Sequence, residues 1–409
     1  MKIRSITCFL NPGWPLNAGL LHNCASLLNA ARPAFEGLGY EVQTTRIATP
    51  PFAHFLPTVD ETTLVHLAVE VEKLAAALDI QYVSLGPALP QNLAHYQHIP
   101  AVIAATENVF LTGLMTTADN GISLPAVRQC AEVIHQIAAR SGDGFANLRF
   151  AALAGVEGGS PFFPAAYAGS DRPAFALALQ AADLAVAALT NAASLAAARQ
   201  SLIEAVERHA HALTRGAQPQ AERYGFEFAG LDFTLAPFPA PEDSIGAALE
   251  QLGVPGFGRH GSLAAVAFLA DTLDRARFQR TGFNGMMLPA LEDAILAQRI
   301  SEGLLTVKDL LMFSTVCGTG LDTIPLAGEV TADQLYALLL DLAVLAPRLG
   351  KPLTARLMPI PGKQAGDPTG FDFPFFANSR LMRLEAEPLQ RLWLGEETLH
   401  LGRSARTGD

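Results

Sequence analysis

Along most of the chain, short apolar runs alternate with longer segments whose apolar residues recur every three or four positions. The first pattern predicts strands and the second predicts amphipathic helices. "IRSITCFL" (3–10) predicts a strand, "LLHNCASLLNAARPAFEGLG" (20–39) a helix closed by glycine, and "YEVQTTRI" (40–47) a second strand. "ETTLVHLAVEVEKLAAALD" (61–79) predicts a helix. "YVSLG" (82–86), "AVIAA" (101–105) and "NVFLTGLM" (108–115) are short apolar runs bounded by Gly, Pro and Asn. "LPAVRQCAEVIHQIAARSG" (124–142) predicts a helix and "LRFAALAG" (148–155) a strand. Residues 172–216 are rich in alanine and read as helical throughout. "FEFAGLDFTLAPFP" (226–239) restarts a strand. Helices follow near 243–252, 262–278, 289–301, 306–316 and 331–347, with short apolar runs at 282–288, 321–326 and 353–358. From about 395 the chain reads as a partly disordered tail.

This alternation predicts an α/β fold, a largely parallel sheet covered by helices. No Pro/Ser-rich linker divides the chain. "RGAQPQAER" (215–223) is the best internal boundary, separating two halves of one architecture (1–215 and 216–394) rather than two free domains.

Composition narrows the class. Of 409 residues, 50% are apolar and only 16% charged, which predicts a large buried fraction. A net charge of -11 argues against a basic face for nucleic acid or for an anionic membrane. Four cysteines (Cys8, Cys24, Cys130, Cys317) form no CxxC pair, so neither a disulfide framework nor a zinc ribbon is expected. Reduced, buried thiols in a cytoplasmic protein are the expectation. In "MKIRSITCFLNPGWPL" (1–16) the apolar run is short and Asn11-Pro12-Gly13 breaks it, which fits a first strand better than a signal peptide. No run reaches the ~18 apolar residues of a membrane span. "AFALALQAADLAVAALT" (174–190) comes nearest, and Asp183 interrupts it.

Several stretches could carry chemistry. "GVPGFGRHGS" (253–262) contains G-x-G-x-x-G at Gly256, Gly258 and Gly261, but a helix precedes it where a dinucleotide fingerprint needs a strand. Ser262 is placed to cap the following helix, and free N–H groups there with Arg259 or His260 could hold an anion. "MPIPGKQAGDP" (358–368) has Gly362-Lys363 without the Ser or Thr of a phosphate loop. Arg356, Lys363 and Asp367 nonetheless cluster after a strand-like run, where α/β sheets bind ligands. Asp232 lies in "GLDFTLA", with Phe228 and Thr234 on its face of the strand. A carboxylate buried there is costly unless it is paired or bound to a metal. Asp322 repeats this situation in its own strand. Such acids converging could hold Mg²⁺ or Ca²⁺, although their spacing matches no metal motif. Asp243 reads as an N-cap. His95 and His98 are three apart with no third ligand adjacent, and His209 and His211 fall on different helix faces.

Taken together these stretches resemble a known family. "LDFTLAPFPAPEDSIGAALEQLGVPGFGRHGSLAAVAFL" (231–269), "STVCGTGLDTIP" (314–325) and "RLMPIPGKQAGD" (356–367) are similar to domain-of-unknown-function family 711, also called uncharacterised protein family 0210. Its members carry an (L/V)-D-x-(S/T)-L-A-P-x-P strand and turn, a D-S-(I/V) and an H-G-(S/T) helix start, a Cys-x-x-Gly-Leu-Asp turn, and Arg-x-x-Pro running into Gly-Lys and Gly-Asp. The resemblance is tight over 224–367 and looser before. It implies a ten-stranded α/β barrel similar to pyruvate formate-lyase and the large ribonucleotide reductase subunit, in which two five-stranded parallel halves run antiparallel to each other. In those relatives a cysteine on a loop threading the barrel carries a thiyl radical. This chain has no Arg-Val-x-Gly-(aromatic) radical loop near its C-terminus, so the fold does not bring the radical chemistry with it.

Two functions follow as expectations. The first is an enzyme acting on a small anionic substrate by non-radical chemistry. Cys317 would be the nucleophile or acid/base, Asp232 or Asp322 the base or metal ligand, and Arg356 the clamp. The stretch His260-Gly261-Ser262, with Lys363 and Asp367, would orient the anion. The second is a non-catalytic ligand-binding or regulatory protein that kept the barrel. A divalent cation and a homo-oligomer are both compatible with the sequence, and neither is specified by it.

Overall fold

A computed structural model describes residues 1–190, 192–317 and 319–402. Its first part contains β1 (Lys2–Phe9), α1 (Ala18–Glu36), β2 (Val42–Ala48), α2 (Glu61–Ala77), β3 (Tyr82–Ala88), α3 (Ile99–Ala105), β4 (Val109–Leu114), β5 (Ile122–Ser123), α4 (Leu124–Arg140) and β6 (Phe150–Ala154). Then come β7 (Ala174–Gln180), α5 (Ala182–Thr190), α6 (Leu195–Tyr224), β8 (Glu227–Ala236), α7 (Ile245–Gln251), α8 (Ser262–Arg275), α9 (Ala294–Ser301) and α10 (Val307–Cys317). The chain continues with β9 (Gly320–Ala327), α11 (Ala332–Leu349), β10 (Leu353–Ile360) and β11 (Thr398–Leu399).

Nine strands form one sheet in the order β8-β7-β1-β2-β3-β4-β6-β10-β9. β1, β2, β3, β4 and β6 are mutually parallel. β7 joins β1, and β10 joins β6, in the antiparallel sense. β7 and β8 run parallel, as do β9 and β10. The strands are buried along nearly all of their length, the pattern of a sheet covered on both faces. One large apolar cluster joins the helices to it, with Phe35, Phe175, Phe233 and Phe313 among its fully buried side chains.

Among the described residues the regular sheet has nine strands, not ten, and its outer members are β8 and β9. Residues 279–290 lie between them. Leu231 N–H donates to Gln279 O, Thr281 N–H to Leu231 O and Leu235 N–H to Gly285 O on the β8 side. Met286 N–H donates to Cys317 O and Ala290 N–H to Asp322 O on the other. Both isolated bridges of this segment, Leu231 with Arg280 and Pro289 with Asp322, are parallel. Pro289 supplies no N–H, and Gly282 and Asn284 take φ of 76° and 47°, so the segment cannot hold a continuous ladder.

Other expectations are corrected by local physics. "AFALALQ" is β7, not helix. Its residues are buried on both faces, so no polar alternation betrays it, and its alanines mimic helix composition. "AVIAA" lies in α3, with Pro100 in the first turn. Residues 215–223 lie inside α6, so the sheet changes direction between β6 and β7 instead. Leu399 and Thr398 pair with Ile122 and Ser123, which orders the start of the expected tail. Its remainder, 403–409, and Gly318 of the "CGTGLD" turn lie outside the described residues. Among the described residues no helix is long and apolar enough to cross a membrane.

Candidate functional site

Two β-bulges and one strand face assemble a charged cluster. Ala355 pairs with Leu321 but Leu357 pairs with Ile324, so Asp322 and Thr323 stand opposite Arg356 alone. A bulge of this kind re-aims side chains. It turns Arg356 and Asp322 toward each other, Nε to Oδ1, at 2.6 Å. Thr323 is fully buried at φ 46°, a costly backbone for a β-branched residue. Its hydroxyl accepts a bond from Leu291 N–H, which ties the bulge to the residue next to Glu292. Arg356 Nη2 then donates to Glu292 Oε1 at 2.7 Å. Glu292 Oε2 pairs with Arg4 Nη2. Arg4 sits at a second register shift, between Ile3 and Ser5 of β1.

Arg46 completes the group. In β2, Thr44 and Arg46 alternate onto one face, and both line the same cavity as Arg4, Glu292 and Arg356. Arg46 is 9% exposed. Its Nε donates to Thr44 Oγ1 at 2.8 Å, and its guanidinium lies over Phe163 at 4.9 Å and Tyr82 at 5.6 Å. No carboxylate forms an ion pair with it among the described residues. Burial, and then the nearby charge of Arg4, push its pKa down to about 9. Burial pushes Glu292 up, but Arg4 and Arg356 outweigh it and hold the carboxyl below its ordinary value. Burial dominates at Asp322 and raises it, with Arg356 pulling the other way.

The cavity is about 500 Å³. Its walls include Tyr82, Phe110 and Phe163 on one aromatic group and Phe145, Phe373 and Phe375 on another.

The sequence-based candidates divide sharply. Asp322 and Arg356 come together here. Asp232 does not join them. Its carboxylate accepts from Thr234 N–H (3.0 Å), Thr234 Oγ1 (2.6 Å), Phe283 N–H (2.7 Å) and Asn284 N–H (2.9 Å), stitching β8 to the 279–290 segment. Burial raises its pKa against those four donors. Gly282 is required beside it, since a Cβ there would lie 2.2 Å from Asp232 Oδ2. Cys317 is 1% exposed at the end of α10 and packs in the main apolar core. All four cysteines are free and buried.

The remaining candidates lie elsewhere. The N-cap of α8 is Gly261, not Ser262, and it offers no side-chain bond. Ser262 Oγ instead accepts from Gly258 N–H at 3.0 Å. Gly258 itself is needed for packing, because a Cβ there would lie 2.1 Å from Leu304 O. His260 is exposed. Lys363 Nζ donates to Pro368 O and Asp367 Oδ2 accepts from Gln364 N–H, so both hold a turn beyond β10 and do not line the cavity. Ser244, not Asp243, caps α7. Among the described residues no three His, Cys, Asp or Glu side chains are grouped to hold a metal ion, so the converging acids envisaged from sequence do not form a cation site there.

Arg4, Arg46 and Glu292 were missed from sequence. The signal was the one that singled out Asp232: a charge inside an apolar strand, as in "IRSITCFL" and "YEVQTTRI". Glu292 was hidden because "ALEDAIL" reads as a helix start, which Asp293, its neighbour, does provide.

A family model described as Uncharacterised ACR (DUF711) matches residues 1–377. A UPF0210 protein of Pyrobaculum aerophilum is 32% identical over 367 residues, covering 83% of this chain and 79% of that protein. UPF0210 proteins of Acetivibrio thermocellus and Leuconostoc mesenteroides are each 26% identical, covering 84% and 83% of this chain and 79% of each relative. With the match spanning both the arginine cluster and the Asp322–Arg356 bulge, the chain belongs to the DUF711 family.

Proposed function

We propose that the chain binds a small organic anion in the arginine-floored cavity. One observation carries this reading: Arg46 is a buried cation that pairs with no carboxylate among the described residues. Removing a guanidinium from water without a counter-ion is costly, and a bound carboxylate or phosphate would supply that counter-ion. A volume near 500 Å³ lies within the range of metabolite sites and far exceeds a lone inorganic ion. Reading 279–290 as an irregular tenth stave, parallel to both β8 and β9, makes the sheet the closed barrel of two antiparallel halves that the resemblance implies. The cavity then lies among staves of both halves.

A second reading, an enzyme using non-radical acid–base chemistry, is favoured by the bulge. Asp322 is raised by burial, directly precedes the strained backbone of Thr323 and touches the clamp residue Arg356. Cys317 has no part in it, because the thiol is sealed in the core.

The test is calorimetric titration of the purified chain with small carboxylates and organic phosphates. Wild type is expected to bind at least one, and Arg46→Gln to lose roughly tenfold or more in affinity while its circular dichroism is unchanged. Equal binding by both proteins would sink the proposal. Deuterium incorporation from solvent into the bound acid, abolished by Asp322→Asn with binding retained, would establish the enzyme reading. Binding without any exchange leaves a binding protein.

A further inference from the structure

We infer that the ligand is a flat aromatic monocarboxylate, a deepening that rests on the anion-binding reading above. The charge balance of the floor sets the first half of this. Three guanidiniums, Arg4, Arg46 and Arg356, face two carboxylates, Glu292 and Asp322, all of them at most partly exposed. One positive charge is left over. Among the exposed or partly exposed lining groups, Arg149 donates to the carbonyls of Ile103, Thr106 and Val109 and lies near Glu107, while Asp143 adds a second carboxylate, so these groups add no net positive charge. A monoanion neutralises the floor. A phosphate monoester carries about -1.5 to -2 near neutral pH and would leave negative charge among the buried groups of the floor.

Geometry agrees. Arg46 Nε is held by Thr44, and Phe163 and Tyr82 fix the plane of its guanidinium. Its two η nitrogens have no hydrogen-bond partner among the described residues and form the fork that a carboxylate accepts bidentately.

The walls set the second half. Rings of Phe110 and Tyr82 meet at 5.4 Å and those of Phe110 and Phe163 at 5.3 Å, both edge to face. Phe373 meets Phe145 at 5.2 Å and Phe375 at 5.3 Å. Tyr82, Phe110 and Phe163 belong to one apolar cluster and Phe145 and Phe373 to another, and both present rings to the one cavity. A flat π-system gains stacked or edge contacts from such walls. Acetate would fill the fork and leave the ring-lined space empty.

The experiment is calorimetric titration of the full chain at pH 7 with 3-phenylpropanoate, phenyl phosphate, acetate and inorganic phosphate. Phenylpropanoate is expected to bind about tenfold or more tightly than the other three. Phe373→Leu, on an irregular and half-exposed segment, should weaken phenylpropanoate about three- to tenfold and leave acetate unchanged. Phenyl phosphate binding as tightly as phenylpropanoate overturns the monocarboxylate and leaves the anion site standing. Acetate binding as tightly overturns the aromatic body alone. If no probe binds to wild type, or if Arg46→Gln binds all of them equally well, the anion site falls and this inference falls with it.

Discussion

Glu292 is kept ionised by its neighbours, and that makes the cluster sensitive to acid. Arg4 and Arg356 hold its carboxyl below the ordinary value in spite of burial. A carboxylate whose folded pKa is depressed stabilises the protein above its unfolded pKa, near 4.5, and loses that contribution as pH falls through the folded value. Glu292→Gln leaves two arginines buried on a neutral amide. At pH 7 it should cost about 3–5 kcal/mol in urea unfolding, with the gap to wild type closing as pH drops below about 4.5. A gap that stays constant from pH 7 to pH 3.5 would mean that Glu292 is not the titrating partner. At this scale the sequence singled out Asp322 as a charge in an apolar strand and Arg356 as one of a cluster after a strand-like run, and both side chains belong to strands, β9 and β10. It could not show that they meet, because the meeting depends on a one-residue register shift between β9 and β10. It gave Asp232 and Asp322 the same standing. Only the partners distinguish them, four uncharged donors in one case and a buried arginine in the other.

One carboxylate organises two helix starts. Asp293 Oδ1 accepts from Ile295 and Leu296 N–H of its own helix, α9, and from Ser244 Oγ, while Oδ2 accepts from Ile245 and Gly246 N–H of α7. Burial raises its pKa against these donors, and both helix N-termini favour its negative form. Asp293→Ala leaves several buried donors unsatisfied, so a loss of about 2–4 kcal/mol is expected. Amide exchange should accelerate first in the opening turns of α7 and α9 together. Acceleration in α9 alone would show that the bonds across to α7 carry little. Helices with a polar face were legible, as α2, α4 and α11 show, because water on one side imposes a period. β7 was not, since no residue along it faces water regularly. The α9 start was placed five residues early because the bridge and turn through 289–293 carry the same apolar residues as a helix would.

The alternation of elements gave the α/β class and the resemblance implied two directions of strand, but whether the sheet closes depends on twelve residues with no periodic signature. Those residues, 279–290, bond to β8 through Leu231, Thr281 and Leu235 and to β9 through Ala290. Asn284 reinforces them, its Oδ1 accepting from Phe233 N–H at 2.9 Å and its Nδ2 donating to Thr281 O at 2.8 Å. If the segment is a stave, its amides are shielded by neighbours on both sides and exchange only when a large part of the sheet opens. If it merely covers an edge, they exchange through local fraying. Gly282→Ala separates the two. The new Cβ cannot coexist with Asp232 Oδ2 at 2.2 Å, and φ of 76° strains any L residue, so about 2–4 kcal/mol should be lost. In a closed sheet that loss is shared, and the amides of β8 and β9 exchange faster along with those of 279–290. With an open edge it stays confined to the segment, and β9 keeps its wild-type protection. The cavity follows the same logic. Arg4 and Arg46 come from one set of parallel strands and Arg356 from the other, so a stave that holds β9 beside β8 would also fix the distance between the charges proposed to meet an anion. In a closed sheet Gly282→Ala should therefore weaken the proposed anion binding as well as stability, although Gly282 lies outside the cavity wall, and with an open edge it should lower stability alone.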